Sequence, residues 1–331
     1  MHGSKTIVEE FHSQSLEGNP LGDPVIRRVP VYLPPGYDEG QRYPTLYLLA
    51  GFGSRGLRFL NDDLWQENLP QQLDRLIGEG GMNPIIAVLP DASTRYGGSQ
   101  YVNSMATGNY EDHILELVNT IDSKYPTQAE RGYRAVAGHS SGGFGALWLG
   151  MHYPDTFGLV VDHSGDKYFE MEFKPWLGEL LRYYEKVGEE GLLALLKDPG
   201  EALRAGAPHE VLSQVATAAA YSPNANTPYG FELPVDLKTG EHKPAVWARW
   251  LEFDPLVIAE RHADALRSLR LLYLDCARGD EYNLLYGARL LTEKLRKLKI
   301  PFHYEEYEGT HRYMRHRYDV SFAALSAAMA N

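Results

Sequence analysis

In Gly138-His139-Ser140-Ser141-Gly142-Gly143 a serine stands between two glycines, each two residues away. Tyr133 to Ala137 before it is a short, mostly apolar run, as a buried strand requires. Phe144 to Leu149 after it reads as the start of a helix that stops near Pro154. Strand, Gly-x-Ser-x-Gly turn and helix together predict a nucleophile elbow, a turn so tight that side chains two residues either side of the serine would collide. Ser141 is the rival, but His139 and Gly143 flank it, so Ser140 is the expected nucleophile.

A serine hydroxyl is a weak nucleophile at neutral pH. It needs a base, and the base needs a carboxylate to orient it. An elbow of this kind takes its partners in the order serine, acid, histidine. His311 lies in Glu308-Gly309-Thr310-His311, directly after the last expected strand, and is the candidate base. His303 falls inside a strand, His316 adjoins the terminal helix, and His163 ends a strand near the site. For the acid, Asp280 follows Gly279 on a loop that leads into the next helix. Asp166 also follows a strand and stands as the alternative, whereas Asp275 lies within a strand and Glu281 where the chain turns into the helix.

Acyl transfer also needs two backbone donors for the oxyanion. The N–H groups of Ser141 and of Phe52, in the loop after Leu49-Ala50-Gly51, are the candidates. The loop Arg95 to Ser104 is rich in Tyr, Gly and Asn, so Tyr101 and Asn103 are candidate substrate contacts. Cap aromatics Trp176, Tyr183, Tyr184 and Trp247 are expected in a core rather than a pocket.

The elements that must position these residues follow from periodicity. Extended stretches at 5–15 and 25–33 precede short apolar runs at 45–50, 84–91, 133–137, 157–163, 270–276 and 301–307. Between them lie amphipathic stripes such as Ile114, Leu117, Val118 and Ile121, at helical spacing. A terminal helix is expected from about Val320. Alternation of this kind predicts a mostly parallel sheet with helices on both faces and reactive loops at the carboxyl ends of its strands. Residues 167–255 break the pattern with helical pieces at 176–196 and 202–221, then a stretch rich in Pro, Gly and Asn at 222–244. The whole chain, 1–331, is read as one domain with a largely helical cap inserted at 167–255, shaping the pocket beside Ser140.

Composition narrows the function further. The 331 residues carry 32 Lys and Arg against 44 Asp and Glu, a formal net charge of −12 with no basic cluster, which argues against nucleic acid or an anionic membrane as partner. One cysteine, Cys276, rules out an intrachain disulfide framework and a cysteine zinc site, and the five-residue separation of His311 and His316 does not match a helical ligand pair. Met1 to Phe11 lacks the apolar core of a signal peptide, and no run of about 18 apolar residues exists to span a bilayer, so a cytoplasmic protein is expected. Self-association is left open.

The chain resembles the putative-esterase (esterase D-like) family of α/β-hydrolases, which includes feruloyl esterases, enterochelin esterases, S-formylglutathione hydrolases and mycolyltransferases. The resemblance rests on Leu46 to Phe52, Gly138 to Ala146, Gly279-Asp280, and Tyr304 to Tyr307 leading to His311. It implies an α/β-hydrolase fold, a Ser140/Asp280/His311 triad, and oxyanion donors Phe52 and Ser141. The expected activity is a serine carboxylesterase acting on small-molecule esters through an acyl-enzyme, with no metal or organic cofactor. The alternatives are an acyltransferase on the same site, or a binding protein on a hydrolase scaffold. The chain departs from the family in three places: Ala50 where many relatives carry a polar residue, Ser141 for the commoner methionine, and the pair Gly53-Ser54 where the glutathione-thioester hydrolases carry a cysteine.

Overall fold

The computed structural model describes residues 3–330. Ten strands form: β1 (Lys5–His12), β2 (Ile26–Leu33), β3 (Thr45–Leu49), β4 (Ile86–Val88), β5 (Asn103–Ser104), β6 (Gly108–Asn109), β7 (Arg134–His139), β8 (Leu159–His163), β9 (Leu271–Ala277) and β10 (His303–Tyr307). Eight of them make one sheet in the order β1-β2-β4-β3-β7-β8-β9-β10, and β5 and β6 pair separately. Pairing is antiparallel from β1 to β2 and from β2 to β4, and parallel everywhere else in the large sheet.

Among the main helices, α1 (Leu69–Gly78), α2 (Tyr110–Lys124) and α3 (Ser141–His152) precede β8. Between β8 and β9 come α4 (Phe169–Glu172), α5 (Lys174–Lys197), α6 (Pro199–Arg204), α7 (His209–Tyr221), α8 (Pro244–Leu251), α9 (Pro255–Ile258) and α10 (Ala263–Ser268). The chain closes with α11 (Leu284–Lys297) and α12 (Arg317–Ala330). The expected helix over 202–221 is two helices, because Pro208 lacks the N–H a continuous helix would need. The terminal helix begins three residues earlier than its apolar pattern suggests, at Arg317, whose side chain is drawn inward by Asp275 at 2.9 Å.

The strand period of two divides the core. Leu46, Leu48, Ala135 and Ala137 face α1 and α12, while Tyr47, Leu49 and Val136 face α2 and α3. Helix α3 is buried nearly all round, which is why its sequence is apolar without a polar face. Leu180, Val215, Tyr221 and Trp250, all within residues 167–255, belong to the same buried cluster as Phe144 and Trp148 of α3, so this segment packs onto the central helix.

One buried group makes this packing sensitive to acid. The His113 imidazole on α2 lies between the Ser13 hydroxyl (3.0 Å) and the Asp91 carbonyl (3.1 Å). Burial, then the nearby Arg27 guanidinium, pull its pKa down to about 4. The unfolded chain therefore binds a proton in the window between the ordinary histidine value and 4 that the folded chain refuses. Stability falls as pH drops through that window, by on the order of 3 kcal/mol for this residue. Denaturation midpoints measured from pH 7 to pH 4 should show that slope, and His113→Gln should flatten it.

Candidate active site

Parallel strands β3, β7, β8, β9 and β10 end side by side, with Leu49 opposite Gly138, Gly138 opposite Asp162 and His163 opposite Asp275. Their following loops therefore converge on one edge of the sheet. Ser140 sits there between β7 and α3 at φ 60°, ψ −129°, a conformation that non-glycine residues adopt only under constraint. The constraint is visible on both sides. A Cβ on Gly138 would lie 2.2 Å from the Gly142 carbonyl oxygen, and one on Gly142 would lie 2.3 Å from the Leu49 carbonyl oxygen. The Ser140 N–H donates to the His163 carbonyl at 3.0 Å, pinning the turn to β8.

Asp280 and His311 meet across the next two loops. Their backbones are tied by the Gly279 N–H to the Gly309 carbonyl, 3.0 Å. His311 Nδ1 is 2.8 Å from Asp280 Oδ2, and the carboxylate side chain is wholly buried. Asp280 Oδ1 accepts from the N–H of Tyr282 (2.9 Å) and of Leu284 (3.4 Å), so the carboxylate is held at both oxygens. With Nδ1 donating, Nε2 of His311 carries the free lone pair. Glu281, set aside in the sequence, accepts from the His311 N–H at 2.9 Å and fixes that loop. The His311 ring lies against His139 on one side, 4.4 Å between centroids, and Tyr282 on another, 4.9 Å. Burial, then the neighbouring His311 and His163, hold the His139 imidazole well below the usual histidine range, so it stays neutral.

Asp166, the alternative acid, is buried at the edge of the same cavity and bonded to other groups. It accepts from the Gln100 amide at 2.8 Å and, at the long distance of 3.5 Å, from the Ser141 hydroxyl. Burial pushes its carboxyl up, and it pushes Glu172 beside it up further. His163 is likewise committed, with Nδ1 2.7 Å from Asp275 and Nε2 3.0 Å from Ser321. Burial, with Asp280 nearby, raises the Cys276 thiol to about 12, which leaves it inert.

The loop after β3 is held by the Gly53 N–H on the Gly97 carbonyl (3.0 Å) and the Ser54 N–H on the Gly51 carbonyl (3.1 Å). Those bonds leave the Phe52 N–H without an acceptor among the described residues. The Ser141 N–H, first in α3, has no acceptor one turn back. Both residues line the same cavity as Ser140 and His311.

Tyr101 and Asn103, expected as substrate contacts, are not among the residues that line that cavity. The Tyr101 hydroxyl donates to the Ala50 carbonyl at 2.6 Å, and its ring fills the space left by Gly145, so the residue props the loop from beneath. Asn103 accepts from the N–H groups of Glu111 and Asp112, at 3.1 and 3.2 Å, at the start of α2. Their polar side chains satisfy backbone groups, a use that a local cluster of Tyr and Asn does not distinguish from ligand contact.

The cavity is about 570 Å³, and the cap supplies one wall through Glu172, Phe173, Trp176, His209 and Gln214. Trp176, expected in a cap core, instead packs against Tyr282 (5.9 Å) and faces the cavity; Trp247 is buried and bonds Glu170 at 2.7 Å. Trp176→Ala should enlarge the cavity and change the ratio of kcat/KM for bulky against short esters by about 10-fold or more, with acetate esters little affected. A ratio unchanged across an ester panel would remove Trp176 from the pocket. Among the described residues no group of three or more His, Cys, Asp or Glu side chains is placed to hold a metal ion, and no helix is long and apolar enough to cross a membrane.

Comparison with known proteins gives a family model described as "Putative esterase", matching residues 26–328. An endo-1,4-beta-xylanase/feruloyl esterase of Xylanibacter ruminicola is 32% identical over 152 residues, 44% of this chain and 20% of that protein. An esterase of Mycobacterium tuberculosis is 35% identical over 148 residues, 44% of this chain and 30% of that one. This chain thus covers less than a third of those relatives' own length. Among solved structures, a ferulic acid esterase superposes with a TM-score of 0.62 at 20% identity, covering 99% of this chain and 100% of that one. An S-formylglutathione hydrolase from Staphylococcus aureus gives 0.59 at 17%, covering 99% of each. At such identities the superpositions speak to the α/β-hydrolase fold.

Proposed function

The chain belongs to the putative esterase family, and from that premise we propose a serine carboxylesterase that works through an acyl-enzyme on Ser140. The observation that carries the mechanism is the 2.8 Å contact of His311 Nδ1 with buried Asp280, in a cavity shared with a serine held at positive φ.

The steps follow from those atoms. The ester carbonyl lies over Ser140 with its oxygen toward the N–H groups of Phe52 and Ser141. His311 Nε2 takes the hydroxyl proton as Oγ bonds to the carbonyl carbon, and Asp280 stabilises the imidazolium that forms. The negative charge of the tetrahedral species falls on an oxygen facing the two backbone donors and the N-terminus of α3. Collapse breaks the bond to the alcohol, which leaves with the proton from His311. Water, deprotonated by the same nitrogen, then repeats the attack on the acyl-enzyme and frees the acid. The steps use only groups of this chain. Tyr282 and His139 against the His311 ring keep its plane fixed throughout.

A panel of 4-nitrophenyl and feruloyl esters, assayed with and without added alcohols, tests the reading. Release of free acid as the main product is expected. Exclusive formation of new esters in the presence of alcohol would make the protein an acyltransferase, and no turnover of any ester would reject the catalytic reading.

A further inference from the structure

Guanidinium groups gather around this cavity. In a chain of net charge −12, several exposed arginines elsewhere sit against carboxylates: Arg289 on Glu306 at 2.7 Å, Arg261 on Glu252 at 2.7 Å, Arg204 on Glu201 at 2.9 Å. Three arginines line the cavity of Ser140 and His311, namely Arg58, Arg312 and Arg315. None of the three has a carboxylate within hydrogen-bonding distance among the described residues. Arg58, on the short turn Gly56–Leu60, makes no side-chain hydrogen bond or ion pair with the described residues. Arg315 donates to the Glu67 backbone carbonyl rather than to a carboxylate. Arg312 interacts with the Tyr282 hydroxyl and lies 3.8 Å from Glu281, and the other oxygen of that carboxylate is held by the His311 N–H.

The acidic groups of the same cavity do not offset these charges. Asp166 and Glu172 are buried, where burial pushes both carboxyls up, Glu172 the further of the two. Asp280 is not on the lining; it lies buried behind His311, to which it is hydrogen-bonded. Glu210 is the remaining carboxylate on the lining, against three guanidinium groups. A guanidinium is planar, always charged, and presents paired N–H groups that match the oxygens of a carboxylate or phosphate.

We propose that the esters taken by this site carry an anionic oxyacid group, carboxylate or phosphate-like, received by Arg58, Arg312 and Arg315 while the ester carbonyl lies at Ser140. This rests on the esterase reading and narrows its substrate class. Binding of the anion lowers KM, because the charge is the same in the bound ester and in its transition state. Salt weakens it, since Arg58 and Arg312 are exposed to solvent and Arg315 is half-buried.

Matched esters test the inference. On the acyl side, 4-nitrophenyl hemiadipate is compared with 4-nitrophenyl hexanoate. On the alcohol side, 4-carboxyphenyl and 4-phosphonophenyl hexanoate are compared with phenyl hexanoate, which also tells carboxylate from phosphate-like recognition. At least one anionic ester should exceed its neutral partner in kcat/KM by about tenfold at low salt, through KM, and the ratio should shrink as sodium chloride is added. In the variant carrying Arg58→Gln and Arg312→Gln, the ratio of anionic to neutral kcat/KM should fall toward one, with Arg58→Lys keeping part of it. Neutral esters turned over as well as every anionic partner, or an anionic preference that survives in the double variant, would overturn the inference and leave the esterase reading standing. Failure to turn over any of the five esters would strike the esterase reading itself, and this inference with it.

Discussion

Ser140→Ala should lower kcat for ester hydrolysis by about 10⁴- to 10⁶-fold while the thermal midpoint stays within a few degrees of the parent. The loss is large because the hydroxyl is the atom acylated, and the backbone donors cannot replace it. The fold survives because alanine keeps the Cβ already accommodated at φ 60°. The same torsion makes a second outcome distinctive. Ser140→Gly should be equally inactive yet more stable than the parent, by about 1 kcal/mol, since glycine adopts that conformation without strain. Ser141→Ala should keep much of the activity, because its contribution is a backbone N–H. Loss in Ser141→Ala equal to that in Ser140→Ala would assign the nucleophile to the wrong serine.

Asp280→Asn should reduce kcat by about 10⁴-fold, with circular dichroism unchanged. The local hydrogen bonds explain the size of the effect. The side-chain oxygen Oδ1 accepts from the N–H groups of Tyr282 and Leu284, and an asparagine would keep its carbonyl oxygen there. Its NH₂ group is then forced to the position facing His311 Nδ1, which must turn acceptor. The ring proton moves to Nε2, and the lone pair needed to deprotonate Ser140 is lost. Asp166→Asn changes a group bonded to Gln100 and Ser141, not to His311, and should leave kcat within about tenfold of the parent. The reverse order of the two effects would give the role of acid to Asp166.

How far the sequence carries depends on whether a residue acts through its own neighbours or through distant ones. The elbow is local: Gly138 and Gly142 are required by a turn only five residues long, and the structure puts backbone atoms where their Cβ atoms would be. The strand and helix alternation is equally local, and a mostly parallel sheet follows from it. Asp280 and His311 were legible because each directly follows a strand, and parallel strands place such loops together. Contacts between distant segments were not legible. Trp176 faces the cavity because Tyr282, 106 residues further on, lies against it. Tyr101 is occupied by a carbonyl in another loop, and Glu281 acts on His311 through a backbone N–H. The buried network of His163, Asp275, Ser321 and Arg317 joins β8, β9 and α12, and nothing in the local pattern marks those residues as partners.

The central claim is that Ser140 forms the covalent acyl-enzyme. Labelling the protein with a fluorophosphonate and locating the adduct by peptide mass spectrometry tests it directly. One adduct per chain on Ser140, absent after Ser140→Ala and slowed in Asp280→Asn, is the predicted result. An adduct on Ser141, or full hydrolysis of esters by protein that takes up no label, would contradict it.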